Sequence, residues 1–367
     1  MSSRGAAAGL VASATALVAS VVGLIRSKLI GLATAPKRFV VMVQRAIYDV
    51  RTGKRSAWDV AKSVLLTLFG LAMVLVLLFP LFWITTASLA EGSRLFNTSG
   101  IFPDPSTYNL GAYRWVIFES DFFFVDGDWG YPQLVLGGAD GLVGFRWAGT
   151  ETGPGAVFNS LYIVSVTLAA GFGMIVPAAY AFSRRQFVGR KRILYGYVLF
   201  TQIGAGLSIA TLVALYSLFS SYGLTNNLFI LGLFYAASAI PFNTWLLKTY
   251  MDNIPVSYEE AAMVDGASFL ETIREVIIPL TKPGLAVVLI FVWLAGWNEF
   301  IIAQTLLRPE NYPLSVELYN IATQGRFSTP WTLFAAFANL FALPVAIVYF
   351  AAQRSVEDGL SFGGMEG

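Results

Sequence analysis

The polar residues whose types could carry chemistry are concentrated in one segment, residues 253–283, between two long apolar runs. Its first half contains Glu259–Ala262, two carboxylates followed by two alanines. Ser257 lies three residues before Glu260, which is the spacing of a capping box at the start of a helix. The pattern predicts a short helix with a small, nearly smooth surface that is flanked by charge.

The same segment continues through a turn into a second short helix. Gly266 follows Asp265 and favours the left-handed backbone that lets a chain leave a helix. The second helix is predicted over residues 268–277 and is expected to end before Pro279, which lacks an amide hydrogen. Small residues let another protein approach closely, so the segment is either a docking surface or an amphipathic connector on the bilayer.

A second cluster, Trp293, Trp297, Asn298 and Glu299, lies within a long apolar run. The two tryptophans are four residues apart and share one face of a helix. A carboxylate and an amide at membrane depth are costly unless they face a bundle interior or water. Two interpretations stay open: the cluster lines a pathway for a solute, or its polar groups make structural hydrogen bonds to a neighbouring helix.

Composition limits the chemistry that this chain can perform. The 367 residues include no histidine and no cysteine, which excludes histidine general bases, thiolate metal sites and the commonest metal ligands. Gly53–Lys54 lacks the preceding glycine of a phosphate-binding loop, and Arg55 stands where that loop needs Ser or Thr. We therefore expect no catalytic residue, no metal ligand and no cofactor in this chain.

The elements that must position these residues are membrane helices. The chain is 56% hydrophobic and only 13% charged, and a run of about 20 apolar residues crosses a hydrocarbon core of about 30 Å. An all-α integral membrane fold is predicted, with six spans near 64–88, 156–182, 193–217, 227–249, 284–307 and 332–352. The uncharged run Gly5–Ile25 could be a seventh helix, a surface helix or an uncleaved leader.

Charge sets the orientation, because Lys and Arg near span ends are retained in the cytoplasm. Most of the 24 basic residues lie in 26–62, 183–192 and 248–282, which predicts a cytoplasmic location for these segments and for the C-terminus. The basic segment 26–62 suits anionic lipid. The predicted organisation is a basic extension 1–62 with a possible membrane helix, a first core helix 63–89, an extracytoplasmic loop 90–155, a membrane core 156–352 and a tail 353–367. The loop is either a solvated cap or a docking surface.

The polar segment is similar to the signature of binding-protein-dependent ABC importer permeases: Glu-Ala-Ala, three residues, Gly, nine residues and Ile-x-Leu-Pro. Glu260–Ala262, Gly266 and Val276–Pro279 match it, with Val for Ile and Ile for Leu. The end of the chain, Gly359–Gly367, resembles the tail of the maltose-type second permease subunit. The resemblance covers about 56–367 and implies a type I importer permease: six core transmembrane helices, a cytoplasmic coupling helix and room for an extra N-terminal helix. Residues 253–283 are called the coupling segment below.

The resemblance implies a function in carbohydrate import. The chain would be a non-catalytic, multi-pass permease of the inner membrane that passes a sugar delivered by an extracellular sugar-binding protein. The implied partners are a second permease subunit, a dimer of ATP-binding subunits that hold ATP and Mg²⁺, and membrane lipid, with no nucleic acid.

The resemblance also implies roles for individual residues. Coupling to the ATPase is implied for Glu259, Glu260, Ala261, Ala262, Asp265, Gly266 and Pro279. The tail glycines Gly363, Gly364 and Gly367 would reach the ATPase. The candidate translocation path is Trp293, Trp297, Asn298 and Glu299, and the candidate contacts with the binding protein are Asn311, Tyr312, Gln324 and Trp331.

Three other functions are weighed against sugar import. Within the same family, the solute could be glycerol phosphate or a polyamine. A secondary transporter would need inverted repeats or ion-coupling groups at membrane depth, of which Glu299 is nearly alone. A membrane-embedded enzyme would need a nucleophile, an acid-base pair or a metal cluster, which cannot be assembled here without His or Cys.

Overall fold

The computed structural model describes residues 52, 56–90, 108–118, 120, 122, 131–138, 141–148, 155–204, 209–323 and 330–362. The chain divides into two compact units, Met1–Phe82 and Trp83–Gly367. The run Gly5–Ile25 and most of the basic segment 26–62 lie outside the described residues, so the predictions for them stay predictions.

The first described helix, α1 (Ala57–Leu89), has 33 residues and contains the first predicted span. It begins before that span because Ser56 caps it: the amide of Trp58 donates to Ser56 Oγ at 3.2 Å, and Asp59 lies in the first turn. Large apolar side chains are exposed from Val64 to Phe82. An apolar run of this length is long enough to cross the hydrocarbon core.

Between α1 and the next span, the chain forms a short helix, α2 (Gly111–Phe118), and a β-hairpin. Strand β1 (Tyr131–Gly138) pairs antiparallel with β2 (Gly141–Ala148), and Gly138 lies opposite Gly141. The membrane part is all-helical as predicted. The hairpin was not predicted, because strands of 8 residues are much shorter than the windows that detect membrane spans.

The rest of the described chain is helical. Its elements are α3 (Ala156–Arg184), α4 (Arg190–Gly204), α5 (Ile209–Ser221), α6 (Leu228–Asp252), α7 (Ser257–Val264), α8 (Phe269–Glu271), a π-helical segment (Thr272–Ile277), α9 (Ile278–Leu280), α10 (Lys282–Trp297), α11 (Ile301–Leu306), a 3-10 turn (Pro309–Asn311), α12 (Leu314–Thr323) and α13 (Trp331–Phe362).

Helices α3, α6, α10 and α13 form the centre of the second unit. α3 packs along α6, and α10 contacts α3, α6 and α13. Glycines allow these close approaches: a Cβ added to Gly232 would lie 2.8 Å from Val166, and one added to Gly284 would lie 2.6 Å from Tyr250. Small residues at such contacts are typical of helices that pack in membranes, where van der Waals contact drives association.

Five helical spans among the described residues are long and apolar enough to cross a membrane, against six predicted from sequence. They are α1, α3, α6, α10 with α11, and most of α13. The predicted span 193–217 falls on α4 and α5, whose 15 and 13 residues are each fewer than the roughly 20 that a span needs. Residues 205–208 between them are outside the described part. The predicted tail 353–367 is helical as far as Phe362.

Candidate functional site

One buried carboxylate fixes the coupling segment to the bundle. Glu259 of α7 is 5% exposed, and its Oε1 lies 2.5 Å from Nε of Arg184, the last residue of α3. Tyr180, one turn earlier in α3, donates its hydroxyl to Glu259 Oε2 at 3.0 Å. Arg184 also donates from Nη2 to the carbonyl of Ile254 at 2.9 Å. Charge-assisted hydrogen bonds therefore hold α7 against the C-terminal turn of α3.

A second polar link joins the ends of α3 and α6. Ser183 Oγ donates to Oδ1 of Asp252 at 2.7 Å, and Lys248 pairs with the same carboxylate from one turn earlier in α6. The carbonyl of Ser183 accepts a hydrogen bond from Arg190 Nη2 at 3.1 Å. The point at which the chain leaves α6 for the coupling segment is thus tied to α3 as well.

The second half of the coupling segment packs on the same turn of α3 through an aromatic ring. Phe269 lies edge-on to Tyr180, with ring centroids 5.6 Å apart. The guanidinium carbon of Arg185 lies 5.8 Å from the centroid of Phe269, within the range of a cation–π interaction. Both halves of the segment therefore rest on one helix end.

The capping box lies on the second helix of the segment, and its prediction at Ser257 and Glu260 is wrong. Val256 holds the N-cap position of α7 in helical conformation, so Ser257 is already inside the helix. At α8, Ser268 Oγ accepts from the amide of Glu271 at 3.4 Å, and Glu271 Oε2 accepts from the amide of Ser268 at 2.8 Å. Hydrogen bonds from the side chain and backbone of Ser268 lower the pKa of the Glu271 carboxyl.

The opposite face of the coupling segment is open. Glu260, Ala261, Asp265 and Gly266 are exposed, and Ala262 is half-buried. Gly266 has φ +90°, a conformation that a residue with a Cβ rarely adopts, so it makes the predicted turn between α7 and α8. The alanines thus lie on a surface that another backbone can approach closely.

Large apolar side chains lie on both sides of this turn. Met263, Val264 and Leu270 are 57%, 86% and 74% exposed. A single exposed apolar side chain is ordinary, but several together beside charged residues mark an interaction surface. One side of the segment is therefore anchored to the bundle, while the other is suited to a protein partner.

Pro279 lies within a helical continuation of the segment, and the prediction that the second helix ends before it is wrong. The π-helical segment carries the chain from α8 into α9, where Pro279 occupies the first turn. The change from π-helical to α-helical spacing lies directly before this proline, whose missing amide hydrogen interrupts the backbone hydrogen bonds of the helix. Ile277 is 1% exposed and packs in the core cluster with Ile175 and Leu247.

The tryptophans of α10 pack against α13. Trp293 and Trp297 stack with centroids 5.6 Å apart, and Trp297 stacks on Phe341 at 5.7 Å. Trp297 is 1% exposed and its Nε1 donates to the carbonyl of Phe341 at 3.1 Å. Trp293 is half-buried, and its Nε1 has no hydrogen-bond partner within the described residues. Trp297 therefore joins two helices, whereas the indole nitrogen of Trp293 is buried without a hydrogen-bond partner among the described residues.

Glu299 caps the N-terminus of α11, where the fifth predicted span changes from α10 to α11. Its carboxylate accepts hydrogen bonds from the amides of Ile302 at 2.9 Å and Ala303 at 3.2 Å, and from the hydroxyl of Tyr235 in α6. Asn298 is exposed. For Glu299, these contacts favour the interpretation as a structural hydrogen bond to a neighbouring helix. Asn298 takes no part in them and remains a candidate for the translocation path.

The loop after α11 is organised by Asn226, whose role was not predicted from the sequence. Asn226 has φ +56°, and its Oδ1 accepts from the amide of Arg308 at 2.9 Å and from Nδ2 of Asn311 at 3.1 Å. The carbonyl of Tyr312 accepts from Asn159 Nδ2 at 3.1 Å. The candidate contacts Asn311 and Tyr312 are thus half-buried parts of a fixed loop. Asparagine in a turn was the available signal, since it tolerates the left-handed conformation.

Four candidate residues lie outside the described part of the chain. They are Gln324, Gly363, Gly364 and Gly367. Their roles at the binding protein and at the ATPase stay predictions.

Span-length apolar helices with an anchored polar segment at one end define a class of protein: a multi-pass membrane permease subunit that docks a partner. Within that class, the chain belongs to the family of binding-protein-dependent transport system inner membrane components, whose sequence model matches residues 169–361. The matched range includes the whole coupling segment. As a member of this family, the chain is a permease subunit of an ABC importer and is not itself an enzyme.

Two relatives and one solved structure agree with this assignment. The chain is 33% identical over 296 residues to the galactooligosaccharides transport system permease protein GanQ of Bacillus subtilis (strain 168), covering 80% of this chain and 92% of GanQ. It is 29% identical over 322 residues to the maltose/maltodextrin transport system permease protein MalG of Escherichia coli (strain K12), covering 84% and 97%.

The solved structure is that of a bacterial ABC transporter involved in the import of the acidic polysaccharide alginate. One of its chains matches with a TM-score of 0.61 and 23% identity, over 82% of this chain and 98% of that one. The fold is therefore that of type I ABC importer permeases.

Proposed function

We propose that this chain imports a sugar, as a mono-, di- or oligosaccharide, that an extracellular solute-binding protein delivers. The relatives support the solute class, since they are named for galactooligosaccharides and for maltose and maltodextrin. The resemblance of Gly359–Gly367 to the maltose-type tail points to the same class.

The proposed partners are a second permease subunit, which completes the pathway, and a dimer of ATP-binding subunits, which hold ATP and Mg²⁺. The observation that carries the proposal is the two-sided coupling segment. Glu259 is buried on Arg184, while Ala261 and Gly266 on the other face are exposed. An ATPase that grips the exposed face acts directly on the end of α3.

The proposed orientation puts the coupling segment and the end of α13 in the cytoplasm. The basic residues at the C-terminal end of α3 and the start of α4 lie beside the coupling segment, as the rule for retained positive charge requires. The loop that contains Asn311 and Tyr312 follows α11 and is proposed to face the binding protein, with Gln324 further along the chain.

The proposed sugar pathway passes Trp293 and Asn298. Trp293 is half-buried and stacks on Trp297, and an aromatic ring at such a position can pack against the face of a sugar ring. Asn298, five residues further along the chain, is exposed. Trp297 and Glu299 support this region, because their polar atoms are already engaged.

The experiment is purification of the complex from the native membrane, with Ala261→Asp compared with wild type. We expect wild type to retain an ATPase and a second permease. In vesicles that hold the solute-binding protein on one side of the membrane and ATP on the other, it should take up labelled maltooligosaccharide or galactooligosaccharide. Ala261→Asp places a charge on the exposed face and should lose the ATPase. Tyr222→Ser is the control, because Tyr222 is 73% exposed beyond the other end of α6.

Two results would contradict the proposal. Uptake by wild type without ATP would favour a secondary transporter instead. Uptake of glycerol phosphate or spermidine, with no uptake of either oligosaccharide, would keep the importer and replace the sugar.

A further inference from the structure

A basic segment beside the coupling segment, residues 185–192, consists of the connection after α3 and the first turn of α4, and is called the α3–α4 loop. Arg185, Lys191 and Arg192 are exposed, and Arg190 is half-buried. Within the described parts of the chain, the ion pairs involve other cations, so none of these four has a carboxylate within 4.0 Å. Four cations that share a short loop without a counterion attract an anion from outside the chain.

The tip of the same loop is apolar. Val188 is 99% exposed and Phe187 is 42% exposed, and both lie between Arg185 and Arg190 in sequence. The loop begins directly after Arg184, the last residue of a helix that is long and apolar enough to cross a membrane, which puts the loop at the headgroup end of that helix. Apolar side chains flanked by cations suit that interface better than water.

The loop is held in a fixed shape. It surrounds an open groove of about 580 Å³ that Gln186–Arg192 line. Arg190 donates to the carbonyl of Ser183, and the ring of Phe187 lies 5.5 Å from that of Phe182. A groove that is fixed before binding loses little conformational freedom when a ligand enters.

We propose that this α3–α4 loop binds the phosphate headgroup of an anionic phospholipid, with Val188 and Phe187 in the membrane interface. The inference rests on the proposed function for its orientation, which places the loop at the cytoplasmic leaflet. A lipid is favoured over an acidic protein because the apolar tip lies at the end of a span. Because Arg185 also lies over Phe269, the bound lipid adds a membrane contact to the helix end that anchors the coupling segment.

The test measures lipid preference of the whole complex in nanodiscs of phosphatidylcholine, with spin-labelled phosphatidylglycerol or phosphatidylcholine as probe. Each basic residue near an anionic headgroup contributes about fivefold in affinity, so Lys191→Gln with Arg192→Gln should lower the preference for phosphatidylglycerol about thirtyfold. Lys191→Arg with Arg192→Lys keeps the charges and should behave as wild type. Arg308→Gln, in the loop after α11, should also have no effect.

A second measurement locates the tip. The chain has no cysteine, so Val188→Cys can carry a single fluorophore on this subunit. We expect spin-labelled lipid to quench it and aqueous iodide to have little effect.

The outcomes separate the two proposals. An unchanged lipid preference in the Gln variants, or a Val188→Cys label that only iodide quenches, overturns the lipid site. Displacement of the lipid probe by inorganic phosphate also overturns it, in favour of a free anion. Neither assay uses sugar or ATP, so loss of uptake with an intact lipid preference contradicts the proposed function alone.

Discussion

Removing Arg184 is the sharpest test of how the coupling segment is held. The Arg184 and Glu259 side chains are only 10% and 7% exposed, so Arg184→Ala leaves a buried carboxylate without its counterion. It also removes the hydrogen bond to the carbonyl of Ile254. Breaking a buried pair from one side costs about 3–5 kcal/mol. The lower figure corresponds to about a hundredfold increase in the population of the detached segment.

The assay is hydrogen exchange of backbone amides in the purified complex, resolved to α7 and to α6 as an internal reference. We expect exchange in α7 to rise about a hundredfold, because local opening free energy is lowered there. Exchange in the middle of α6, which packs along α3, should stay unchanged. Equal exchange of α7 in wild type and Arg184→Ala would refute the claim that this ion pair anchors the segment.

A double-mutant cycle separates the ion pair from the effects of either side chain alone. Glu259→Gln with Arg184→Gln leaves no buried charge unpaired, so the double variant should be more stable than the two single changes predict. A coupling free energy of about 1 kcal/mol or more is expected for groups in contact. Arg274→Gln is the matched control. Nε of Arg274 lies 3.8 Å from Oε1 of Glu275, and the two side chains are 85% and 72% exposed. Exposed ion pairs of this kind contribute little to the free energy of unfolding.

Two further predictions concern packing and pH. Gly284→Ala should lower the free energy of unfolding by about 1–3 kcal/mol, because the new Cβ would lie 2.6 Å from Tyr250. Gly173→Ala is the control. Its Cβ would meet nothing within 4 Å, so the melting temperature should stay unchanged or rise. The pKa of Glu271 is lowered in the folded chain, so the capping box stabilises α8 above the ordinary carboxyl pKa and stops doing so as the pH falls through the lowered value. Exchange of α8 amides, corrected for intrinsic rates, should therefore rise on acidification, and the same rise in Ser268→Ala would contradict this reasoning.

The membrane architecture was largely predictable from the sequence. Spans such as α3 and α6 can be predicted from the local run of apolar residues alone. Their orientation can be predicted from the basic residues at their ends. The turn at Gly266 was also predictable, because glycine is the residue that adopts positive φ without strain. Features of this kind are set by a residue and its immediate neighbours.

The anchor of the coupling segment was not predictable in the same way. Arg184 and Glu259 are separated by the whole of α4, α5 and α6, and no spacing rule relates them; Arg184 counted only as a charge at the end of a span. The capping box was predicted at Ser257, although Ser268 and Glu271 have the same spacing. Which of the two serines caps a helix depends on whether the cap residue itself is already helical. That property follows from how the segment packs and is absent from the local pattern.

The arrangement of the anchors has a mechanical consequence for the proposed function. A partner that moves the exposed face can move the bundle only if the segment does not bend instead. Glu259, Asp252 and Phe269 bring separate parts of the chain to one turn of α3, so this turn and the segment must be displaced together. The packed contacts of α3 with α6 and α10 then transmit the displacement, since close-packed interiors yield little. Gly266 lies between the attachment points Glu259 and Phe269, so the exposed turn is held at α3 from both sides.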